Sequence, residues 1–535
     1  MNLCKDSDIK DCVDSVNGGG PRGVNGDGPR EGDGGGPPGP PRPIARVLDA
    51  ALAARPDAPA VEAASGAWSY AELDEQAERA AGALWSLGAR PGDRVAACLP
   101  NDLDIVAAFH GAQRIGAVWA GIGEALSGSE QRHLADLIDP AVVLAGARCR
   151  VESPATVDPE RWASLLGAGS QAPHVDHDID APAGIAFTSG TSGQPKAVVH
   201  SQRNLMLPGA ALVATRGWGP DLRKGDSFPF TVLNMLVLST LLTAQAGGCA
   251  VVMDRRDVDG VAEWIAAHRV TVWNGAPAQL YDLARQPHLD LGSLREVWSG
   301  ASDTPDSVRT AFAEAHGPVP RATYGLTEAP TVVSIDPPGR DWLSGGSGRL
   351  LPQYDVAAYD DDGHRLPPGE PGELRLAGTR TGPWAGLWTP LLGYWEGGRV
   401  RPAPPAPIPT GDIGTVDAEG NLSVLDRKKM VIIRGGANVY PLEVERVLGA
   451  HPDVAKAAVC AVPDERLGQK VAAIIESVGS AVDFEELAAL CRRELAGYKV
   501  PEIWTRVDAL PMNAMGKIER TRLAELVAPP AGRQP

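Results

Sequence analysis

Helix-like and strand-like patterns alternate from Ile44 to about residue 340, which predicts an α/β protein built on largely parallel sheets. Two changes of texture refine this. Residues 347–425 turn rich in Gly, Pro and short β-like runs, as a smaller β-rich subdomain would. From about Arg427 the α/β pattern returns, long enough for a compact domain of its own.

The elements follow in chain order. Gly18–Pro43 is Gly/Pro-rich without a three-residue period, so collagen is excluded and a disordered tail over residues 1–43 is expected. Tyr70–Leu87 has helical apolar spacing, and Arg94–Leu99, Ala141–Leu144 and Cys249–Met253 read as buried strands. Thr231–Ala246 is the most apolar run but carries Asn234, Ser239, Thr240, Thr243 and Gln245. It is too short to cross a bilayer and reads as a buried helix. GELRLAG (Gly372–Gly378) and LSVLD (Leu422–Asp426) read as strands of the β-rich part. In the last part Ala457–Val462 and Val471–Val478 read as strands and Asp483–Leu495 as a helix. The expected boundaries are 44–426 for the large domain and 427–535 for the small one.

Bulk properties exclude some functions. A formal net charge of -17 argues against non-specific nucleic-acid binding, while leaving room for a locally basic site. Seven scattered cysteines form no CxxC pair or Cys/His cluster, so free thiols in a reducing compartment are expected. With no basic-then-apolar leader, a cytoplasmic enzyme acting on small molecules is the expectation.

Residues 188–196 read Thr188, Ser189, Gly190, Thr191, Ser192, Gly193, Gln194, Pro195, Lys196 after an apolar run. Two glycines allow backbone N–H groups to approach an anion, the hydroxyls add donors, and Lys196 supplies a point charge. A Walker-type loop fails here, because Pro195 precedes the lysine and Ala197 follows it.

This nonapeptide resembles the phosphate-binding signature of the class I adenylate-forming enzymes, which include acyl-CoA synthetases, firefly-type luciferases and peptide-synthetase adenylation domains. Other motifs of that family follow in order. Tyr324-Gly325-Leu326-Thr327-Glu328 resembles the element whose aromatic lies near adenine, whose Thr meets the α-phosphate and whose Glu holds Mg²⁺. Ser299-Gly300-Ala301-Ser302 resembles a run beside adenine. Asp412 of Thr410-Gly411-Asp412 resembles the ribose ligand, and Arg427 of Asp426-Arg427-Lys428-Lys429 a second one, with Lys429 at the hinge. Gly516-Lys517 resembles the C-terminal motif whose lysine meets the reacting carboxylate and the α-phosphate. The fold so implied has two stacked, mostly parallel α/β sheets and a β-rich subdomain, with a small mobile α+β C-terminal domain.

The resemblance implies an acid–thiol ligase using ATP, Mg²⁺ and coenzyme A. The substrate carboxylate is already ionised at neutral pH, so no general base is needed. Lys196, Lys517 and a metal near Glu328 would offset the repulsion among anions, with Thr327 on the α-phosphate. Val431–Glu445 (VIIRGGANVYPLEVE) resembles the loop of acyl-CoA synthetases in which Gly435-Gly436 lines the pantetheine tunnel. Val232, Asn234, Met235, Trp298 and Tyr324 fall at acyl-pocket positions.

Several positions depart from the family pattern. Val232 replaces a common gate His, Met235 stands where Gly is frequent, Met430 replaces an acidic residue, and Asp303 replaces Pro. These leave the acid open. A carrier-protein phosphopantetheine is the alternative acceptor, and a non-catalytic nucleotide- or acyl-binding relative is the third reading.

Overall fold

The computed structural model describes residues 36–37, 39, 41–189, 195–300, 304–339, 342–479, 482–512 and 518–527, with the backbone alone at Ser189 and Thr521. The expected tail lies mostly outside them. All contacts below lie within one unit, Gly35–Pro535.

Among the described residues the strands form sheets of nine, eight, four and five strands. The nine-stranded sheet is parallel at its centre, where Cys249–Val252, Arg223–Asp226, Val272–Gly275, Glu296–Ser299 and Pro320–Gly325 lie side by side. Antiparallel strands close both edges. In the eight-stranded sheet Arg94–Cys98, Val118–Gly121, Val142–Ala145, Thr156–Val157 and Pro182–Ser189 run parallel. The chain then doubles back through Pro195–Ser201, which pairs antiparallel with Pro182–Ser189. The predicted buried runs occupy these centres because parallel strands covered on both faces need apolar side chains throughout.

One core joins the two large sheets: Val95, Trp119 and Val198 from the smaller share an apolar cluster with Val61, Val252 and Trp298 from the larger. The helix predicted from Tyr70 runs Tyr70–Ser86 and opens on a reciprocal cap. The Glu72 amide donates to the Ser69 hydroxyl, and the Ser69 amide donates to the Glu72 carboxylate.

The run Thr231–Ala246 is helical from Leu233, with a π-turn at Val237–Leu241 between two α-helical segments. Its polar residues survive burial by bonding to the preceding turn: Thr240 donates to the Leu236 carbonyl at 3.0 Å, and Thr243 to that of Ser239 at 2.8 Å.

The β-rich part is an antiparallel sheet of Tyr354–Tyr359, Gly372–Gly378, Ile408–Val416 and Leu422–Arg427. Beyond it, Val454–Asp464, Gly468–Ser477 and Ile503–Val507 pair around helices Pro441–Gly449 and Phe484–Glu494. This last part has an apolar cluster of its own, centred on Val444, Val471 and Leu487.

Candidate active site

The Ser/Gly/Thr run is the connection of a β-hairpin. Thr188 faces Lys196 across the pair, and Ser189 faces Pro195. Thr188 and Lys196 therefore stand one residue from the ends of their strands, at Ser189 and Pro195. Gly190, Thr191, Ser192 and Gly193 lie outside the described residues, as do Ala301, Ser302, Asp303 and Lys517. Lys196 is exposed, its Nζ 5.3 Å from the centre of the Tyr394 ring.

Immediately downstream on the same strand, His200 reaches the second motif. Its Nε2 lies 2.7 Å from the Thr327 carbonyl oxygen. A carbonyl only accepts, so the neutral ring donates through Nε2–H. Complete burial pushes the His200 pKa down to about 4, which keeps that neutral form at physiological pH. His200 belongs to none of the sequence motifs. The signal was present, since His200 follows the phosphate loop by a few residues, but its partner is remote in sequence.

Two glycines in this region are there for space. A Cβ on Gly300 would lie 2.3 Å from Thr323 Oγ1, whose hydroxyl donates to the Ser299 carbonyl at 3.1 Å. A Cβ on Gly325 would lie 2.2 Å from the Thr331 carbonyl. The first clash would turn the Thr323 hydroxyl away from its Ser299 partner, and the second could not be relieved without moving backbone.

Tyr324 links this element to the β-rich sheet. Its hydroxyl donates to Asp412 Oδ2 at 2.6 Å, while Arg427 Nε lies 2.8 Å from Asp412 Oδ1. Asp412 and Arg427 are cross-strand partners, which is why residues so spaced meet. Burial, then the Asp412 carboxylate, raises the Tyr324 phenol well above its ordinary pKa, so it stays a donor. Asp412 is buried while Arg427 is largely exposed. A carboxylate has about four lone-pair positions. Tyr324 and Arg427 approach different oxygens of the carboxylate.

Glu328 is half-buried and makes no ion pair among the described residues. It lies close enough to Tyr394 to raise that phenol's pKa, behind the effect of burial.

The remaining candidates fall in three places. Val232 caps the short helix Leu233–Leu236, with Met235 buried and Asn234 half-buried. Asn101 fixes the approach to it, accepting from the Phe230 amide at 2.8 Å and donating to the Phe228 carbonyl at 2.8 Å. Trp298 is enclosed: it stacks on Trp218 and donates from Nε1 to Glu296 at 2.8 Å. Val232, Met235, Trp298 and Tyr324 all belong to or pack against one apolar cluster. Lys429 is exposed in the 3₁₀ turn Lys428–Met430, directly after the β-rich sheet. Gly435 and Gly436 form the turn between Ile432–Arg434 and Ala437–Val439, both with left-handed φ (58° and 86°).

The segment Tyr324–Thr327 is thus held at both ends, by His200 of the phosphate-loop strand at Thr327 and by Asp412, itself paired with Arg427, at Tyr324. Residues 48–383 match the model of the AMP-binding enzyme family, and residues 443–517 match that of the AMP-binding enzyme C-terminal domain. The chain belongs to the AMP-binding enzyme family. It is 32% identical to a feruloyl-CoA synthase from Amycolatopsis sp over 485 residues, covering 86% of this chain and 94% of the relative. It is 30% identical to an indoleacetate–CoA ligase from Aromatoleum aromaticum, at 86% and 93% coverage. ATP-bound MatB from Rhodopseudomonas palustris superposes with a TM-score of 0.79 at 27% identity, covering 90% of this chain and 98% of that one. This adenylate-forming enzyme has no described helix long and apolar enough to cross a membrane.

Proposed function

We propose that this AMP-forming acid:CoA ligase places its nucleotide along the path from Lys196 to Arg427 and works in two half-reactions. The observation that supports the placement is the Tyr324–Asp412–Arg427 cluster, tied through Thr327 to the phosphate-loop strand by His200. Adenine would lie beside Tyr324 and Gly300, the ribose hydroxyls on Asp412 and Arg427, and the phosphates between Thr327 and Lys196.

In the first half-reaction a carboxylate oxygen attacks the α-phosphorus and pyrophosphate leaves with the electron pair of the broken bond. Lys196 and Lys517 oppose the charge that accumulates, and no residue need remove a proton. In the second, the coenzyme A sulfur attacks the acyl carbon, AMP leaves, and the thiol proton is lost. Gly435 and Gly436 would admit the pantetheine, with Lys429 as the pivot between domain 44–426 and domain 427–535.

Glu328 fits a magnesium ion: it is an oxygen donor without a cation of its own among the described residues, and it neighbours Tyr394 as the phosphate-loop lysine does. Magnesium bound there would neutralise phosphate charge. The enzyme would work in the cytoplasm, where ATP and coenzyme A are.

The acid is read as an aromatic one. Half-buried Tyr324 supplies aromatic surface beside the apolar cluster that holds Met235 and Trp298, and the feruloyl and indoleacetate ligases are named for aryl acids. An ATP–pyrophosphate exchange screen over aryl, alicyclic and fatty acids tests this; a fatty acid preferred over every aryl acid would overturn it.

The division of labour has a separate test. Lys517→Ala should slow adenylation about a hundred- to a thousand-fold and leave thioester formation from preformed acyl-adenylate intact. Lys429→Pro, which fixes φ at the pivot, should do the reverse. Equal losses for Lys517→Ala in both assays would sink the two-conformation mechanism.

A further inference from the structure

Beyond the predicted motifs, the phosphate-loop strand has a neighbour the sequence did not announce. Strand Gly393–Glu396 pairs antiparallel with Pro195–Ser201, Tyr394 opposite Val198 and Gly393 opposite Val199. It therefore runs back toward Lys196. Gly397 and Gly398, with φ of 57° and 79°, turn the chain. The return strand Arg399–Pro402 brings Arg401 opposite Tyr394. Between this hairpin and the loop lysine lies a cavity of about 380 Å³, lined by Lys196, Tyr394, Glu396, Arg401, Pro402, Ala403 and Pro404.

Two cations thus share one cavity. Lys196 makes no ion pair among the described residues. Among the described residues Arg401 is engaged only by Glu396, 3.2 Å away, and the two side chains are 72% and 53% exposed. So exposed a pair contributes little and exchanges partners readily. A guanidinium offers a planar fork that matches two phosphate oxygens, and a multiply charged phosphate is a better partner than one solvated carboxylate. The remaining carboxylates at this end, Glu396 and nearby Glu328, suit an anion that arrives with a divalent cation.

We propose that Arg401 and Lys196 hold the pyrophosphate end of ATP in this cavity, with Arg401 leaving Glu396 to take the terminal phosphates. The inference rests on the reading of Lys196 as a phosphate ligand. When the carboxylate oxygen bonds to the α-phosphorus, the bond to the bridging oxygen breaks and its electrons pass to pyrophosphate. Arg401 and Lys196 stand where that charge gathers. Arg401 has no part in thioester formation, which begins after pyrophosphate has gone.

The test uses the full chain with magnesium pyrophosphate as the probe, measured by direct binding calorimetry and as product inhibition of adenylation. Arg401→Ala should weaken pyrophosphate about tenfold and raise KM for ATP. Its rate of thioester formation from preformed acyl-adenylate should stay within twofold of the unaltered enzyme. Arg401→Lys should fall between. Arg399→Ala, which removes an exposed charge nearer the hairpin tip, should match the unaltered enzyme. Unchanged pyrophosphate affinity in Arg401→Ala would overturn the proposal, as would an equal loss in Arg399→Ala. Arg401-dependent pyrophosphate binding in a chain that activates no acid would uphold the site and refute the functional reading. Acid activation with Arg401 irrelevant would do the opposite.

Discussion

In the proposed nucleotide site Asp412 is the central residue, because it is buried yet engaged by two donors from different segments. Removing it takes the shared carboxylate acceptor from the Tyr324 hydroxyl and the Arg427 guanidinium and removes the seat proposed for a ribose diol. Hydrogen bonds to charged groups are worth about 1.5–3 kcal/mol. Asp412→Ala should therefore lower kcat/KM for ATP by roughly a hundredfold, measured by pyrophosphate exchange at varied ATP. An unaltered ATP KM would remove Asp412 from the site. The sequence made Asp412 and Arg427 legible as motif residues. It did not show that Tyr324 donates to the same carboxylate.

Among the elements, the Gly435–Gly436 turn has two explanations that mutation can separate. A two-residue hairpin with left-handed φ at both positions favours glycine for its own backbone. A passage for pantetheine would favour it for space. Asn tolerates left-handed φ, and a Cβ on Gly435 would meet Leu467 Cδ2 at an ordinary 3.4 Å. Gly435→Asn should hold the melting temperature within about 2 °C, the exposed-site range, and slow only the coenzyme A step. A normal thioester rate would assign the glycines to the turn alone.

At the same scale, the apolar run from Thr231 was legible as a buried helix, while its π-turn was not. The Ser239 hydroxyl there donates to buried Asp226, which pairs with Lys224 at 2.8 Å. That partner is set by the neighbouring strand, and no local periodicity encodes it.

For the whole molecule, burial of neutral histidine makes stability depend on pH. The His200 pKa is about 4 in the folded chain and near 6.5 unfolded. The unfolded chain binds the extra proton between those values. Stability from this group is therefore complete above pH 6.5 and lost as pH falls toward 4. At pH 5 the loss is about 2 kcal/mol. His110, pushed down to about 3 by burial, acts in the same sense. His200→Gln should lose less than the unaltered enzyme between pH 7.5 and 5, read as a narrowing gap in thermal midpoints. A gap independent of pH would mean that His200 does not titrate across unfolding.

The sequence by itself determined the α/β class and the order of the elements, and it pointed to the candidate chemistry-bearing positions. Each of these is written locally, in apolar periodicity or in a short run such as Thr188–Lys196 or Tyr324–Glu328. Tertiary structure alone decided which of them meet. His200 reaches Thr327 across 127 positions, Tyr324 reaches Asp412 across 88, and Arg401 comes to Lys196 only because a late hairpin adds to the sheet beside the phosphate loop. Strand pairing and burial select such partners through the whole chain at once, and a hydrogen bond between distant residues leaves no spacing in the sequence to read.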